Sequence, residues 1–517
     1  MYKLGIDVGG TNTDAVLIDE DLNVVAAVKN PTSDDIYTGI MGAVDAVLAD
    51  SGVDRAQIAQ AMLGTTQCTN AIVERKGLAP IAILRIGAPA TVGIPPMVDW
   101  ADDIAAVCVD SLIIEGGFEY DGKRLAEFDE AACRAFFEGV KGRVEAVAVS
   151  SVFSTVRNDD ELRAATIARE VLGEDVHVSI SSEIGSMGLI ERENATILNA
   201  ALYDVARTTA DSFEAALASE GLADVAVYLG QNDGTLMSVD YAKRYPIFTI
   251  ACGPTNSIRG ASFLTQEKDA VVVDIGGTTT DVGVLAHGFP RESMVAVEIG
   301  DVRTNFRMPD LVSVGLGGGS LVRQLEDGSV TVGPDSVGYL VTKKARCFGG
   351  DTLTATDIVV AKGLAEGVGD PTLVADLEPA LVDAAYAEIT RIIEDAVDAM
   401  KTSAGDVTVI LVGGGSILAP DQLGGSDNVL RPENFGVANA VGSAIAQVSG
   451  QIAKVFSLTE TPREQALAES KQRACDEAIE AGADPSTVEV VDVEDIPMAY
   501  LGDALCIRVK AVGDLML

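Results

Sequence analysis

The chain has 517 residues, more than one compact hydrophobic core normally organises, so at least two lobes are expected. Hydrophobic residues make up 48% and charged residues 22%, which excludes general disorder. The formal net charge of −41 argues against a nucleic-acid partner, because such binding requires a cationic surface, and it favours solubility or adaptation to a salty cytoplasm.

The N-terminal residues run directly into an apolar strand, and we expect neither an export signal nor a membrane-spanning segment. The seven cysteines are scattered without a C-x-x-C pair, which is typical of a reducing cytoplasm. The two histidines, His177 and His287, form no metal-binding pattern and follow no nucleophile elbow. A histidine-built metal centre and a Ser-His-Asp mechanism are therefore both disfavoured.

One short motif occurs twice in the chain. The first turn motif is DVGGTNTD at residues 7–14, and the second is DIGGTTTD at residues 274–281. Each follows an apolar, β-rich run and leads into another, so each predicts a β-hairpin with a glycine-rich turn. Adjacent glycines let backbone N–H groups approach phosphate oxygens, and hydroxyl side chains add donors. Two such turns facing each other would hold a polyphosphate chain from both sides.

The two turn motifs supply most of the candidate site residues. Asp7 and Asp274 are the catalytic and metal-binding candidates, because carboxylate oxygens suit a hydrated Mg²⁺ ion. Asp14 and Asp281, the second aspartates of the two motifs, are further candidates for the site. A role in capping the turns by side-chain hydrogen bonds explains them equally well. The residues expected to hold the phosphates are Gly9, Gly10, Thr11, Asn12, Thr13, Gly276, Gly277, Thr278 and Thr279.

Later segments predict the parts that surround such a site. Amphipathic or helical passages are expected at about residues 190–216, 373–400 and 462–481. Residues 407–412 form a fully apolar, β-branched run followed by a glycine turn, in which Gly414, Gly415 and Ser416 would face a nucleoside. Residues 436–444 predict a helix of small residues suited to close helix contact between lobes.

Two phosphate hairpins, a glycine loop and a small-residue helix in this order resemble the actin-like ATPase superfamily. The resemblance implies an α/β, two-lobed, actin-like (ribonuclease H-like) fold, with mixed β-sheets flanked by helices and ATP in the cleft between lobes. We expect an N-terminal lobe over residues 1–185, a C-terminal lobe over 186–450 and an α/β extension over 451–517.

Residues 64–77, GTTQCTNAIVERKG, resemble the T-T-x-x-x-N-A-x-x-E-R-K-G signature of the hydantoinase/oxoprolinase family. The sequence departs from the family at residues 341–350, which keep the cysteine and glycine of a Cys-Tyr-Gly element but lack its prolines. The chain is also shorter than the large members of the family. Further similarity lies within residues 191–201, 253–261, 313–320 and 507–513.

Membership in this family would imply ATP-dependent hydrolysis of a cyclic amide or imide, such as a hydantoin or 5-oxoproline, through phosphorylation of the ring carbonyl. It would also imply Mg²⁺ and a separately encoded hydantoinase B-type subunit. A small-molecule kinase and a non-enzymatic, ATP-driven reactivase or chaperone are the alternatives.

Asn70, Glu74 and Arg75 of the signature are the substrate candidates. Asn70 and Glu74 are four residues apart and share one face of a helix. A solvated helix with an ion pair is the alternative interpretation of these residues. The loop at residues 317–320 is a second candidate for ATP or substrate contact. Cys68 and Cys347 are interpreted as small buried hydrophobes rather than nucleophiles.

Overall fold

The computed structural model describes nearly the whole chain. Two of the predicted phosphate contacts, Gly10 and Thr11, lie outside the described residues. No described helix combines the length and the apolar character that a bilayer crossing requires. The described residues are 1–9, 12–31, 36–293, 297–306, 308–402, 405–459, 461–498 and 504–515.

The strands outnumber the helices, and most are short. In chain order they are β1 (Tyr2–Val8), β2 (Asn12–Ile18), β3 (Val24–Pro31), β4 (Ile58–Thr65), β5 (Ile81–Ala88), β6 (Cys108–Glu115), β7 (Ala146–Ser151), β8 (His177–Ile180), β9 (Ala226–Gly230), β10 (Leu236–Ser238), β11 (Ala270–Ile275), β12 (Thr280–Ala286), β13 (Phe289–Pro290), β14 (Val297–Ile299), β15 (Val302–Thr304), β16 (Leu311–Val314), β17 (Ser320–Gln324), β18 (Val330–Ser336), β19 (Val407–Val412), β20 (Ser426–Leu430), β21 (Val448–Ser457), β22 (Glu489–Pro497) and β23 (Ala504–Gly513).

The helices connect these strands and cover the sheets. In chain order they are α1 (Ile36–Ser51), α2 (Gln67–Glu74), α3 (Asp102–Ala105), α4 (Glu130–Val140), α5 (Asp159–Leu172), α6 (Leu189–Ala201), α7 (Tyr203–Ser219), α8 (Val239–Arg244), α9 (Cys252–Thr265), α10 (Val341–Lys344), α11 (Ala355–Ala361), α12 (Pro379–Met400), α13 (Ala438–Ile445) and α14 (Arg463–Glu480).

Two mixed sheets have the same arrangement of central strands. In the larger sheet β1 pairs antiparallel with β2 and parallel with β4, within the order β22-β23-β21-β10-β9-β4-β1-β2-β3. In the smaller sheet β11 pairs antiparallel with β12 and parallel with β19, within the order β13-β12-β11-β19-β20, and β16 pairs with β12. The repeated motif in the sequence is therefore a repeat of structure, with one copy in each sheet.

A third sheet is entirely parallel and has the order β6-β5-β7-β8. Its central strands β5 and β7 are mostly apolar and are buried along nearly their whole length, as expected for strands covered on both faces. Inside this layer the guanidinium group of Arg85 forms a fully buried ion pair with Glu193 of α6, and Ser150 donates to the same carboxylate at 2.6 Å.

The long helix before β19 begins later than its sequence pattern suggests. The prediction placed it at about residues 373–400, whereas α12 starts at Pro379. Proline suits the first helical position because it lacks an N–H group that would be unpaired there anyway. The buried residues of α12 recur at three- and four-residue spacing and share one hydrophobic core with residues of β11, β12 and β19: Val382, Ala385, Ile389, Ile393, Ala396, Val397 and Met400.

The small-residue helix α13 crosses α9 at very short range, as predicted. A Cβ atom added to Gly260 of α9 would lie 1.9 Å from the carbonyl oxygen of Ala438, and one added to Gly442 of α13 would lie 1.9 Å from that of Asn256. These contacts allow only glycine at both positions. The two helices thereby join the sheets that carry the two turn motifs.

The predicted domain boundaries after residues 185 and 450 stay a prediction. The nine-stranded sheet runs across both positions. Strands β21 and β23, near the end of the chain, belong to the same nine-stranded sheet as β1. That sheet thus draws on sequence from both ends of the described chain.

Candidate functional site

The two turn motifs form closely matching hairpins, which confirms the predicted strands. Asp7 faces Asp14 across the first hairpin, and Asp274 faces Asp281 across the second. In the first turn the N–H of Gly9 donates to the carbonyl of Asn12 at 3.0 Å; the matching bond from Gly276 to Thr279 is 2.9 Å. The same sequence pattern therefore gives the same backbone geometry twice.

Each strand-ending aspartate lies against a glycine of the neighbouring parallel strand. A Cβ atom added to Gly64 of β4 would lie 2.3 Å from Oδ1 of Asp7, and one added to Gly413, just after β19, would lie 2.1 Å from Oδ1 of Asp274. A side chain at either position would displace the carboxylate. Both glycines thus preserve the space in which the carboxylates sit.

Asp7 is buried, with 3% of its surface exposed. Its Oδ2 accepts a hydrogen bond from Asn439 of α13 at 2.9 Å, whereas its buried Oδ1 has no hydrogen-bond partner among the described residues. Burial, followed by the charges of Asp14 and Asp274, raises the pKa of Asp7 to about 7. A buried carboxylate oxygen without a partner is costly unless a cation or donor binds it.

Asp274 occupies the equivalent place in the second hairpin. Its Oδ2 accepts a hydrogen bond from Ser257 of α9 at 2.5 Å, and burial raises its pKa. The charge of Asp274 acts on Asp7, and the charge of Asp14 acts on Asp274. The two hairpins therefore bring their carboxylates into one shared electrostatic environment between the sheets.

The second carboxylate of each motif has a partner on an adjacent strand. Asp14 is buried and accepts two hydrogen bonds from Lys29 of β3, at 2.6 and 2.7 Å. Burial raises the pKa of Asp281 to about 6, and the Ser313 hydroxyl of β16 opposes this shift. These contacts agree with a role for both aspartates in holding the hairpins in shape.

Lys29, Asn439 and Ser257 were not predicted as site residues. Lys29 lies directly opposite Asp14 in the antiparallel pairing of β2 and β3, so a strand alignment could have indicated it. Asn439 and Ser257 reach the site from helices that are distant in sequence, and no local pattern marks them. Asn439 is 432 residues from the aspartate that it contacts.

The loop at residues 317–320 packs directly on the second turn. The N–H of Gly318 donates to the carbonyl of Gly276 at 3.0 Å, and that of Gly319 donates to Gly277 at 2.8 Å. A Cβ atom at Gly317 would lie 2.5 Å from the amide nitrogen of Thr278. The loop supports the turn from behind, while Thr278 and the adjacent Thr279 stay exposed.

The predicted nucleoside loop follows β19 beside the second turn. The N–H of Gly415 donates to the carbonyl of Ile275 at 2.7 Å, which fixes the loop to the hairpin. A Cβ atom at Gly414 would lie 3.5 Å from Cε of Lys29, so this loop approaches the strand β3 of the other sheet. Gly415 and Ser416 are buried, so of the three predicted nucleoside contacts only Gly414 is exposed.

The described residues contain no group of three or more His, Cys, Asp or Glu side chains arranged to hold a metal ion. Asp7 and Asp274 nevertheless fit Mg²⁺, because this ion keeps several waters and is usually bound by one or two carboxylates together with phosphate oxygens. The buried, unpartnered Oδ1 of Asp7 agrees with that use.

The three substrate candidates lie on or just after α2, which follows β4. Asn70 lies in the first turn and donates weakly to Thr66 at 3.4 Å. Glu74 and Arg75 lie at the opposite end, where Glu74 pairs with the exposed Lys76 at 2.9 Å. Arg75 ends the helix in a left-handed conformation, with φ of 56°. The structure thus places Asn70 nearer the carboxyl end of β4 than the other two.

The side chain of Arg75 is engaged in contacts within the protein. It donates to the carbonyl of Ile72 at 2.6 Å and pairs with Asp103 and Asp301 at 3.3 and 3.0 Å. The two cysteines interpreted as hydrophobes are buried, and burial raises the pKa of Cys68 to about 11 and that of Cys347 to about 12. A thiolate is disfavoured at both positions.

A cavity of about 2130 Å³ lies elsewhere, with walls formed by β21, β23 and the loops that follow β7 and β8. Its wall includes Arg508 and Lys510, and Lys510 pairs with the buried Asp233 at 2.8 Å. No described residue of either turn motif lines it. Small-molecule sites usually have volumes of about 300–1,000 Å³. Cavity size alone therefore does not select the candidate site.

Two segments of the sequence match one family. Residues 3–172 match the hydantoinase/oxoprolinase N-terminal region, and residues 192–367 match hydantoinase/oxoprolinase. The chain belongs to the hydantoinase/oxoprolinase family. The resemblance seen in residues 64–77 is thereby confirmed.

This hydantoinase/oxoprolinase chain is similar in sequence to proteins with different activities. It is 27% identical over 395 residues to the caprolactamase subunit alpha of Pseudomonas jessenii, covering 71% of this chain and 55% of that protein. It is 24% identical over 400 residues to the acetone carboxylase beta subunit of Xanthobacter autotrophicus, covering 70% of this chain and 54% of that protein. The chain spans about half the length of these relatives.

A solved structure shares the fold of this family member. The crystal structure of the ATP-dependent caprolactamase from Pseudomonas jessenii matches with a TM-score of 0.78 at 20% identity, covering 100% of this chain and 88% of that chain. The predicted two-lobed, actin-like α/β fold is therefore confirmed.

Proposed function

We propose that this chain binds ATP and Mg²⁺ between its two turns and uses ATP to open a cyclic amide or imide, such as a hydantoin, 5-oxoproline or a related lactam. We further propose that it works with a hydantoinase B-type partner subunit. The observation that carries the proposal is the pair of matching hairpins, each of which places an aspartate, Asp7 or Asp274, at the end of its first strand.

The proposed chemistry activates a ring amide, which reacts only slowly with water. The carbonyl oxygen on the ring attacks the γ-phosphorus of ATP, so that an O–P bond forms as the bond between that phosphorus and the leaving ADP breaks. Water then adds to the activated carbon, the C–N bond opens with a proton going to nitrogen, and a second water releases phosphate. Phosphoryl transfer depends mainly on positioning and on charge neutralisation, which needs no histidine base.

The residues of this chain would have distinct tasks. The glycine and threonine backbone of both turns would hold the phosphates, with Gly414 beside the nucleoside. Asp7 and Asp274 would hold Mg²⁺, which when bound supplies positive charge to the phosphate oxygens. Asn70 is the substrate candidate that lies nearest the carboxyl end of β4; Glu74 and Arg75 lie further along the helix.

A ketone carboxylase is the second candidate, favoured by the similarity to the acetone carboxylase beta subunit. The same site would then phosphorylate the oxygen atom of a ketone, and carboxylation rather than ring opening would follow. A kinase would instead release a stable phosphorylated compound, and a reactivase would hydrolyse ATP only with a protein partner.

An ATP-hydrolysis screen separates these functions. The chain is assayed with and without a coexpressed hydantoinase B-type subunit against hydantoin, 5-oxoproline, caprolactam, and acetone with bicarbonate. We expect ADP formation that depends on one cyclic amide or imide and yields its ring-opened product. Stimulation by the ketone alone, or a stable phosphorylated product, would reject the amide-opening proposal.

Asp274→Ala tests the site within that assay. Loss of this carboxylate should lower substrate-dependent ATP hydrolysis by about 100-fold or more, as expected for a group that stabilises charge during the reaction. Asp427→Ala, which removes an exposed aspartate of β20 in the same sheet, is the matched control. Equal activity of the two variants would remove Asp274 from the reaction.

A further inference from the structure

Lys29 is positioned to do more than hold the first hairpin in shape through its pairing with Asp14. Its Nζ atom lies 2.6 and 2.7 Å from the two carboxylate oxygens of Asp14, and one-third of the side chain is exposed. An ammonium group has three N–H donors, and Asp14 accepts two of them. The pairing therefore anchors the group and leaves a donor for another acceptor.

The surroundings of Lys29 carry a large excess of negative charge. Its charge acts on Asp7, Asp14 and Asp274 alike. The region therefore has three acidic groups for one cation before any polyphosphate arrives. A triphosphate that enters between these groups needs positive charge from the protein as well as from Mg²⁺, because like charges at short range repel strongly in a poorly hydrated site.

Lys29 also lies where the two sheets approach each other. Its Cε atom is 3.5 Å from the position that a Cβ atom of Gly414 would occupy, so the side chain reaches from β3 of one sheet to the predicted nucleoside loop of the other. The strand pairing places its backbone beside Asp14 of the first turn. A phosphate chain extending from that loop toward the first turn would pass the ammonium group.

We propose that Lys29 is a phosphate-binding residue of this site, held by Asp14 and directed at the phosphate chain of ATP. The inference rests on the proposed function, since it takes the cleft between the turns as the ATP site. Asp14 then has the role of positioning Lys29, which explains why a second acidic residue lies in the first turn motif.

Nucleotide binding by the purified chain tests the proposal without any ring substrate. Lys29→Met should weaken ATP binding by about 10- to 100-fold, the loss expected for one charge-assisted hydrogen bond, while adenosine binding changes less than about threefold. Isothermal titration with ATP and with adenosine provides both values. An equal loss for the two ligands would overturn the proposal, because Lys29 would then support the pocket rather than the phosphates.

The double variant Asp14→Asn/Lys29→Met separates phosphate binding from simple charge compensation. It removes the buried carboxylate together with its partner, so folding does not suffer from an unpaired charge. We expect the double variant to keep the 10- to 100-fold loss in ATP affinity. Recovery of wild-type affinity would show that Lys29 only compensates Asp14, and the proposal would fall.

Lys362→Met is the matched control, because Lys362 also pairs with an aspartate, Asp383, at 2.6 Å and has a similar exposed fraction of 31%. It should bind ATP like the wild type. If the wild-type chain binds no ATP at all, the proposed function itself fails. If it binds ATP and the double variant binds equally well, only the role of Lys29 fails.

Discussion

Asp7→Asn should stabilise the unliganded protein above neutral pH while removing its use of ATP. The pKa of Asp7 is raised from 3.8 to about 7, mainly by burial. Each pKa unit corresponds to about 1.4 kcal/mol, so ionised Asp7 costs the folded state about 4 kcal/mol at pH 8. Asparagine keeps an acceptor for Asn439 but puts an unpaired amide group in place of Oδ1, which costs about 1–3 kcal/mol. The net gain is about 1–3 kcal/mol.

The pH dependence of that gain is the sharper part of the prediction. Between pH 4 and 7 the folded protein holds a proton on Asp7 that the unfolded chain has lost, so wild-type stability falls as pH rises through this window. The variant lacks this loss. Its advantage over the wild type should therefore grow by about 1.4 kcal/mol per pH unit up to about pH 7 and then level off.

Differential scanning calorimetry from pH 5 to 8.5, without nucleotide, measures this difference as a shift in unfolding temperature. A change of 1 kcal/mol corresponds to about 2–4 °C for a unit of 150–250 residues. Asp50→Asn, at an exposed position in α1, is the control and should change stability by less than about 0.5 kcal/mol. A difference between variant and wild type that does not vary with pH would refute the electrostatic argument.

Two further substitutions test packing and buried charge by the same calorimetry. Gly260→Ala should destabilise the protein by about 3 kcal/mol or more, because its new Cβ atom would lie 1.9 Å from the carbonyl oxygen of Ala438. Gly436→Ala is the control, since a Cβ atom there would have nothing within 4 Å. Equal effects of the two substitutions would contradict the close helix crossing. Arg85→Met should cost about 3–5 kcal/mol, since it leaves Glu193 buried without its partner, and a wild-type melting temperature would show that the buried pair is dispensable.

The sequence predicted those parts of the site that are local in the chain. Both hairpins and the strand β19 follow from apolar runs that end at glycines, and the structure has them where the pattern indicates. Asn439 could not be found in this way, because it reaches Asp7 from a helix 432 residues away. The role of Gly413 could not be found in this way either, because it depends on the space that this glycine leaves for the carboxylate of Asp274.

The substrate candidates show a second limit of sequence patterns. Residues of the family signature stand together in the chain, yet Asn70 lies within α2 whereas Arg75 ends the helix in a left-handed conformation. Arg75 is held by contacts to Asp103 and Asp301, which come from segments that the signature does not include. A motif identifies a family well, but it does not say which of its side chains reach a common point.

The order of strands in the nine-stranded sheet has a consequence for synthesis of the protein. All four strands of the parallel sheet lie between Ile81 and Ile180, so that layer can assemble while translation continues. The sheet that carries the first turn motif must wait for β23, which is made some 500 residues after β1. Long-range pairing of this kind is slow and leaves apolar surface uncovered. Nascent chains of this protein should therefore depend on chaperones until translation has passed β23.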